Sequence, residues 1–231
     1  MPDAPRGRKA AGMSRTAVII PDPPAELHVT PFTWPAGHPI HRIHLDIFAA
    51  NAFNPGIDGN ARFSPITNAE GRPIRALYGG SDFECAAMET VFHDVPFAPG
   101  FKSYDKRKLA GQTHSVLVPR ENLKLADLRN VALRKLGVPR AGLIVTEKDA
   151  YPRTRKWAAA IHACHANVQG LVWVSRQDDR AQAVMLFGDR VKANVLARRD
   201  ASRGLVADLD AYLKLLALAD AIGVSIVAVR T

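Results

Sequence analysis

Residues 60–94 read NARFSPITNAEGRPIRALYGGSDFECAAMETVFHD. Arg62 falls on a short piece, 61–64, that reads as extended and stops at Pro65. A turn-rich segment leads to an apolar run at 74–79 that reads as a strand and carries Tyr78 before Gly79 and Gly80. Then Ser81 or Asp82 offers an N-cap, and Glu84 suits the first turn of a helix over about 82–93. Glu89 sits on that helix among Ala86, Ala87, Met88 and Val91. A cation, a ring and a carboxylate thus come from three adjacent elements, the set that an anionic, ring-bearing ligand needs.

Outward from this stretch the pattern mixes short strands with inserted helices, and no internal repeat is visible. Before it, Ile43, Leu45 and Ile47 alternate with polar residues, which predicts a half-buried strand over 41–48. His41 and His44 have opposite parity there, so no metal pair forms on one face. Residues 30–40, with three prolines, read as loop, and 102–108 as a solvated charged connector. Strands are expected at 112–118, 123–125, 170–175, 183–187 and 224–229. Helices are expected from Asp127 to about 136, stopped by Gly137, then over 153–166 and 207–221, with an exposed loop at 198–203. His162 and His165 are helical neighbours, but no carboxylate or cysteine stands at a zinc spacing, so no metal site is expected. The class is α+β rather than regular βαβ alternation.

At 231 residues the chain suits one large domain. Residues 1–26, basic and proline-rich, read as an arm, disordered or loosely docked; 27–231 reads as a single domain. Two cysteines do not make a disulfide framework and fit a reducing cytoplasm. No apolar run reaches the roughly 20 residues of a membrane-spanning helix. The apolar run 18–20 is far shorter than the about 7–15 residues of a signal-peptide core. Neither GxGxxG nor GxxxxGK[ST] is present, so any nucleotide is bound by another device.

The chemistry follows from residue types. The guanidinium of Arg62 can fork onto a diphosphate. Tyr78 offers a ring face and a hydroxyl. Gly79 and Gly80 clear space for a ligand to approach the backbone. A carboxylate such as Glu89 among apolar neighbours needs a partner or a task. The task that suits it is stabilising positive charge on a ribose ring while a base departs, as carboxylates do in glycoside cleavage. Nicotinamide, positively charged in NAD, is a good leaving group for that step. Ser175, ending its strand, can bond to the glutamate or the substrate, and His93 lies one turn past Glu89. Singly, each has a structural alternative: Arg62 as a surface residue, Tyr78 as core, Glu89 as the ion-pair partner of Arg62.

The set resembles the RES-domain toxins, named for an arginine, a glutamate and a serine. The pattern here is Arg62-Phe63-Ser64-Pro65, the strand ending at Tyr78, Ala86-Ala87-Met88-Glu89 with His93 downstream, and the strand 170–175 ending in Ser175. The strand 184–187 also fits, and the likeness covers roughly residues 40–190. It implies an ADP-ribosyltransferase-like fold, a split and twisted sheet around an NAD cleft. It implies the toxin of a bacterial toxin–antitoxin system that cleaves NAD at the nicotinamide–ribose bond. ADP-ribose would pass to a protein target, phosphate or water. An Xre-like antitoxin, the DNA-binding member of the pair, would block the pocket. Carried over by position, Arg62 binds the NAD phosphates, Tyr78 packs on nicotinamide or its ribose, Glu89 is catalytic and Ser175 supports it. His93 and Arg75 are placed beside the same pocket, Arg75 by position alone.

A net charge of +9 also admits a basic nucleic-acid-binding module without catalysis. Against it stand the absence of helix-turn-helix, zinc-finger or RRM signatures and an aromatic content of only 7%.

Overall fold

The computed structural model describes residues 20–55 and 58–228. Most of the basic arm lies outside the described residues. Its last part is packed: Ile20 is buried, Trp157 donates to the Pro21 carbonyl at 2.9 Å, and Lys156 pairs with Asp22.

The strands in chain order are β1 (Pro31–Trp34), β2 (Ile40–Leu45), β3 (Ala76–Gly80), β4 (Lys102–Asp105), β5 (Gln112–Pro119), β6 (Leu123–Asp127), β7 (Gly170–Val174), β8 (Gln182–Phe187), β9 (Leu196–Arg198), β10 (Arg203–Gly204) and β11 (Val224–Val227). The helices are α1 (Phe83–Thr90), α2 (Asn130–Leu136), α3 (Arg140–Leu143), α4 (Tyr151–Cys164) and α5 (Leu209–Ala221). The class is α+β, as expected. The main sheet runs β1-β6-β7-β8-β3-β2-β5-β10, with β9 also on β5, and β4 pairs with β11 separately.

The central strands are buried on both faces. Along β8, Ala183, Met185 and Phe187 join a core with α2, α4, Trp157 and Trp173; Val184 and Leu186 join Trp34, Leu77 and Leu125 on the other face. α1 and α5 cover the β2 half with Phe92, Leu205 and Leu215. Each strand thus alternates between two apolar cores.

The sheet is split, and this feature makes the site. β2 pairs with β5 from Ile40↔Leu117 to Leu45↔Gln112, and β3 pairs with β8 along its whole length. Between β2 and β3, however, only His41↔Gly80 is paired. Beyond that bridge the two strands diverge and a cleft opens.

Several expectations need correction. Residues 61–64 are not a strand: they form an irregular bend with a cis Ser64–Pro65 bond, and Phe63 rather than a ladder pins them, packed edge-on to Trp173 with centroids 5.1 Å apart. The strand expected over 41–48 ends at Leu45, and the helix expected to reach 93 ends at Thr90. Segments 30–40 and 102–108 were expected as loop but contain β1 and β4, whose partners are distant: β6 and β11. Asp127 does not open a helix. It ends β6, and its carboxylate accepts from the backbone N and guanidinium of Arg129.

Candidate active site

A cavity of about 420 Å³ fills the split between β2 and β3. Its volume falls in the range of roughly 300–1,000 Å³ usual for small-molecule sites. Arg42 and Ile43 line it from β2, Tyr78 and Gly79 from β3, Glu89 from α1, and Arg62, His93 and Tyr151 from the flanking segments.

Glu89 stands in the last turn of α1, a helix capped by Asp82, which accepts from Cys85 N at 2.7 Å. A helix C-terminus is an unfavourable place for a carboxylate, and no basic residue occupies that turn. Ser175 supplies the compensation. Its Oγ is fully buried and donates to Glu89 Oε1 at 2.6 Å. The same oxygen accepts from Gln177 N at 3.0 Å and Asp178 N at 3.1 Å. With its lone pairs engaged by two backbone donors, the hydroxyl proton is directed to Glu89. Oε2 of Glu89 has no hydrogen-bond partner among the described residues.

Arg62 is 6% exposed, and burial lowers its pKa, opposed by Tyr151 and Glu89. Its Nη1 donates to Thr146 Oγ1 at 2.5 Å, and its Cζ lies 5.1 Å from the Tyr151 ring centroid. No carboxylate is within salt-bridge distance among the described residues, so the structural alternative, an Arg62–Glu89 ion pair, does not form. A second guanidinium, Arg42, donates twice through Nη1, to the carbonyls of Ala50 and Ala52, each at 2.7 Å. Burial pushes its pKa down to about 10. Two desolvated cations facing one cavity leave charge that an anion would balance.

Tyr78 donates its hydroxyl to Ser64 Oγ at 3.0 Å, and burial pushes its pKa up to about 12, so it stays neutral. His93 lies in the turn after α1, its Nδ1 2.8 Å from Asp94 Oδ1, and Lys148 Nζ meets the other Asp94 oxygen at 2.8 Å. Lys148 and His93 hold the Asp94 carboxyl below the usual range.

Arg62, Tyr78, Glu89 and His93 therefore share one cavity, and Ser175 reaches it through Glu89. Arg75 does not join them. It is exposed, its Cβ lies beside Gly188, and it is not among the cavity residues. Gly79 lines the cavity, and both glycines also clear space for packing. A Cβ on Gly79 would meet Ile40 Cγ2 at 2.4 Å and the His41 carbonyl oxygen at 2.9 Å; one on Gly80 would meet Cys85 Sγ at 2.6 Å. The clearance admits β2 and α1. Sequence reasoning missed Arg42, Thr146 and Tyr151. Among the described residues no group of three or more potential metal ligands assembles, and no helix is long and apolar enough to cross a membrane.

The family description "RES domain" matches residues 39–209 of this chain. Among solved structures, a chain of the M. tuberculosis MbcT–MbcA toxin–antitoxin complex superposes with a TM-score of 0.56. The identity is 14%, over 80% of this chain and 92% of that one. No curated protein matches the sequence.

Proposed function

The chain belongs to the RES-domain family, and on that premise we propose that it is the toxin of a toxin–antitoxin pair and breaks the nicotinamide–ribose bond of NAD. One observation carries the reading: the buried, carboxylate-free guanidinium of Arg62 faces the same cavity as a Glu89 whose orientation Ser175 fixes. A dianionic pyrophosphate is the group that Arg62 and Arg42 lack, and Glu89 stands ready for a developing cation.

Arg62 binds the pyrophosphate, with Arg42 lining the same cavity. Tyr78 presents an aromatic surface to the nicotinamide end. Ser175 holds Oε1 of Glu89 so that Oε2 faces the ribose. As the C1′–N bond breaks, its electron pair leaves with nicotinamide, which becomes neutral, and positive charge spreads over C1′ and the ring oxygen. Glu89 is an anion placed to lower the energy of that charge. An oxygen nucleophile then bonds to C1′ and releases its proton. With phosphate the product is ADP-ribose-1″-phosphate, with water ADP-ribose, and with a protein side chain a modified protein. A cognate antitoxin of the Xre type, covering the cleft, would stop all three.

The test is nicotinamide release from NAD by purified protein, with and without phosphate, with product analysis to identify the acceptor. Release that Glu89→Gln cuts to a small residual rate is expected. Folded protein releasing none under any of these conditions overturns the reading. The nucleic-acid alternative requires strongly salt-dependent binding, which a titration at two salt concentrations checks.

A further inference from the structure

Arg62 lies on a bend rather than in a sheet, so the strand ladder does not fix its direction. The segment 146–155 does so instead. Thr154 Oγ1 donates to the Arg62 carbonyl, and Arg155 Nε donates to the Ala61 carbonyl at 3.1 Å. The Tyr151 ring flanks the guanidinium, and Thr146 Oγ1 accepts its Nη1 proton. Among the described residues Thr146 is the one side chain hydrogen-bonded to that guanidinium. It is 6% exposed and is not a cavity residue, so it does not face the ligand itself.

The same residue reaches the other half of the site. Its carbonyl accepts Arg176 Nη1 at 2.5 Å, and Arg176 directly follows Ser175, the residue that holds Glu89. The Ser175 carbonyl in turn accepts Arg140 Nη2 at 3.1 Å, which ties the strand end to α3. Thr146 is therefore bonded on its side chain to the anion-binding arginine and on its backbone to the neighbour of the serine.

We infer that Thr146 is a positioning residue: its hydroxyl sets the direction in which Arg62 presents its guanidinium to a pyrophosphate-bearing ligand. This rests on the proposed function for the identity of the ligand, not for the contact. Removing the hydroxyl leaves the guanidinium held only by the long 3.4 Å contact to the Thr146 carbonyl and by the Tyr151 ring, so ligand capture weakens while the Glu89 chemistry persists. Thr146→Val keeps the shape and deletes the hydroxyl; Thr146→Ser keeps the hydroxyl.

The experiment measures binding of inorganic pyrophosphate by calorimetry to the full chain and to both variants, and NAD turnover alongside. The expectation is a Kd for pyrophosphate about tenfold higher for Thr146→Val and within about twofold of wild type for Thr146→Ser. In turnover the KM for NAD rises by a similar factor with kcat little changed. Thr146→Ala carries the same expectation if the valine variant does not fold. A valine variant that binds pyrophosphate as tightly as wild type overturns the inference. So does a serine variant that weakens it equally, or a wild-type protein that binds none at millimolar concentration. If pyrophosphate binding follows the expectation but NAD is not consumed, the proposed function fails and the role of Thr146 stands.

Discussion

Ser175→Ala separates two duties of one hydroxyl. The substitution removes the donor that meets Glu89 Oε1 at 2.6 Å and the acceptor for Gln177 N and Asp178 N. A hydrogen bond to a charged group contributes about 1.5–3 kcal/mol. If that bond sets the carboxylate's orientation as charge develops, turnover falls by about 10- to 150-fold, at about 1.4 kcal/mol per decade. The KM for NAD changes little, because Arg62 and Arg42 are untouched. Two part-buried backbone donors lose their acceptor, which costs roughly 1–3 kcal/mol in all, or a fall in Tm of about 2–12 °C for a chain of this size. Nicotinamide release at saturating NAD, with a melt on the same sample, reads both effects. A double-mutant cycle completes the test. Once Glu89→Gln has removed the charge, adding Ser175→Ala changes residual turnover far less than it does in the wild type. Turnover of Ser175→Ala within twofold of wild type would refute the argument that the serine orients Glu89. A full, additive loss in the Glu89→Gln background would refute it as well.

Three further outcomes are expected. Arg42→Ala raises the KM for NAD by about tenfold or more, since it removes one of two cations facing the cavity, and steady-state kinetics reads it. The His41–His114 pair, with its ring nitrogens 3.0 Å apart, makes stability fall in acid. Burial depresses both groups, His114 from 6.5 to about 4, so the stabilisation is complete above about pH 6.5 and is lost as pH falls toward 4. Tm measured across that window declines, and His114→Gln flattens the slope. Gly80→Ala forces a Cβ to within 2.6 Å of Cys85 Sγ and lowers stability by about 1–3 kcal/mol in a denaturant titration.

Tyr78 and Glu89 were legible because each sits on an element with a clear local signal, an apolar run ended by glycines and a capped helix. Ser175 was legible as a strand end, and the family resemblance gave it meaning. Arg42 was hidden by the same alternation that revealed its strand. A polar position between apolar ones reads as solvent-facing, and only the divergence of β2 from β3 turns that side into a cleft wall. Thr146 was hidden because it acts on Arg62 across 84 residues from a loop without periodicity, and Tyr151 because it stands at the first residue of α4, before the apolar face that marks the helix. The strands β1 and β4 were missed because short, proline-bearing or charged runs take on strand form only through partners far along the chain. Arg75 was misplaced because nearness to Tyr78 was given more weight than strand alternation, which puts residues three apart on opposite faces.

The order β7-β8-β3 in the sheet has a consequence for how the chain acquires its chemistry. Arg62, Tyr78 and Glu89 all leave the ribosome early, but β3 then lacks its long neighbour β8, and Glu89 lacks the hydroxyl 86 residues downstream. A nascent or prematurely terminated polypeptide that stops short of Ser175 carries every charged member of the set without the hydroxyl that orients Glu89. On the proposed function, activity waits for the hairpin of β7 and β8, which closes the sheet and brings Ser175 to Glu89. On that reading the topology itself keeps incomplete products inert.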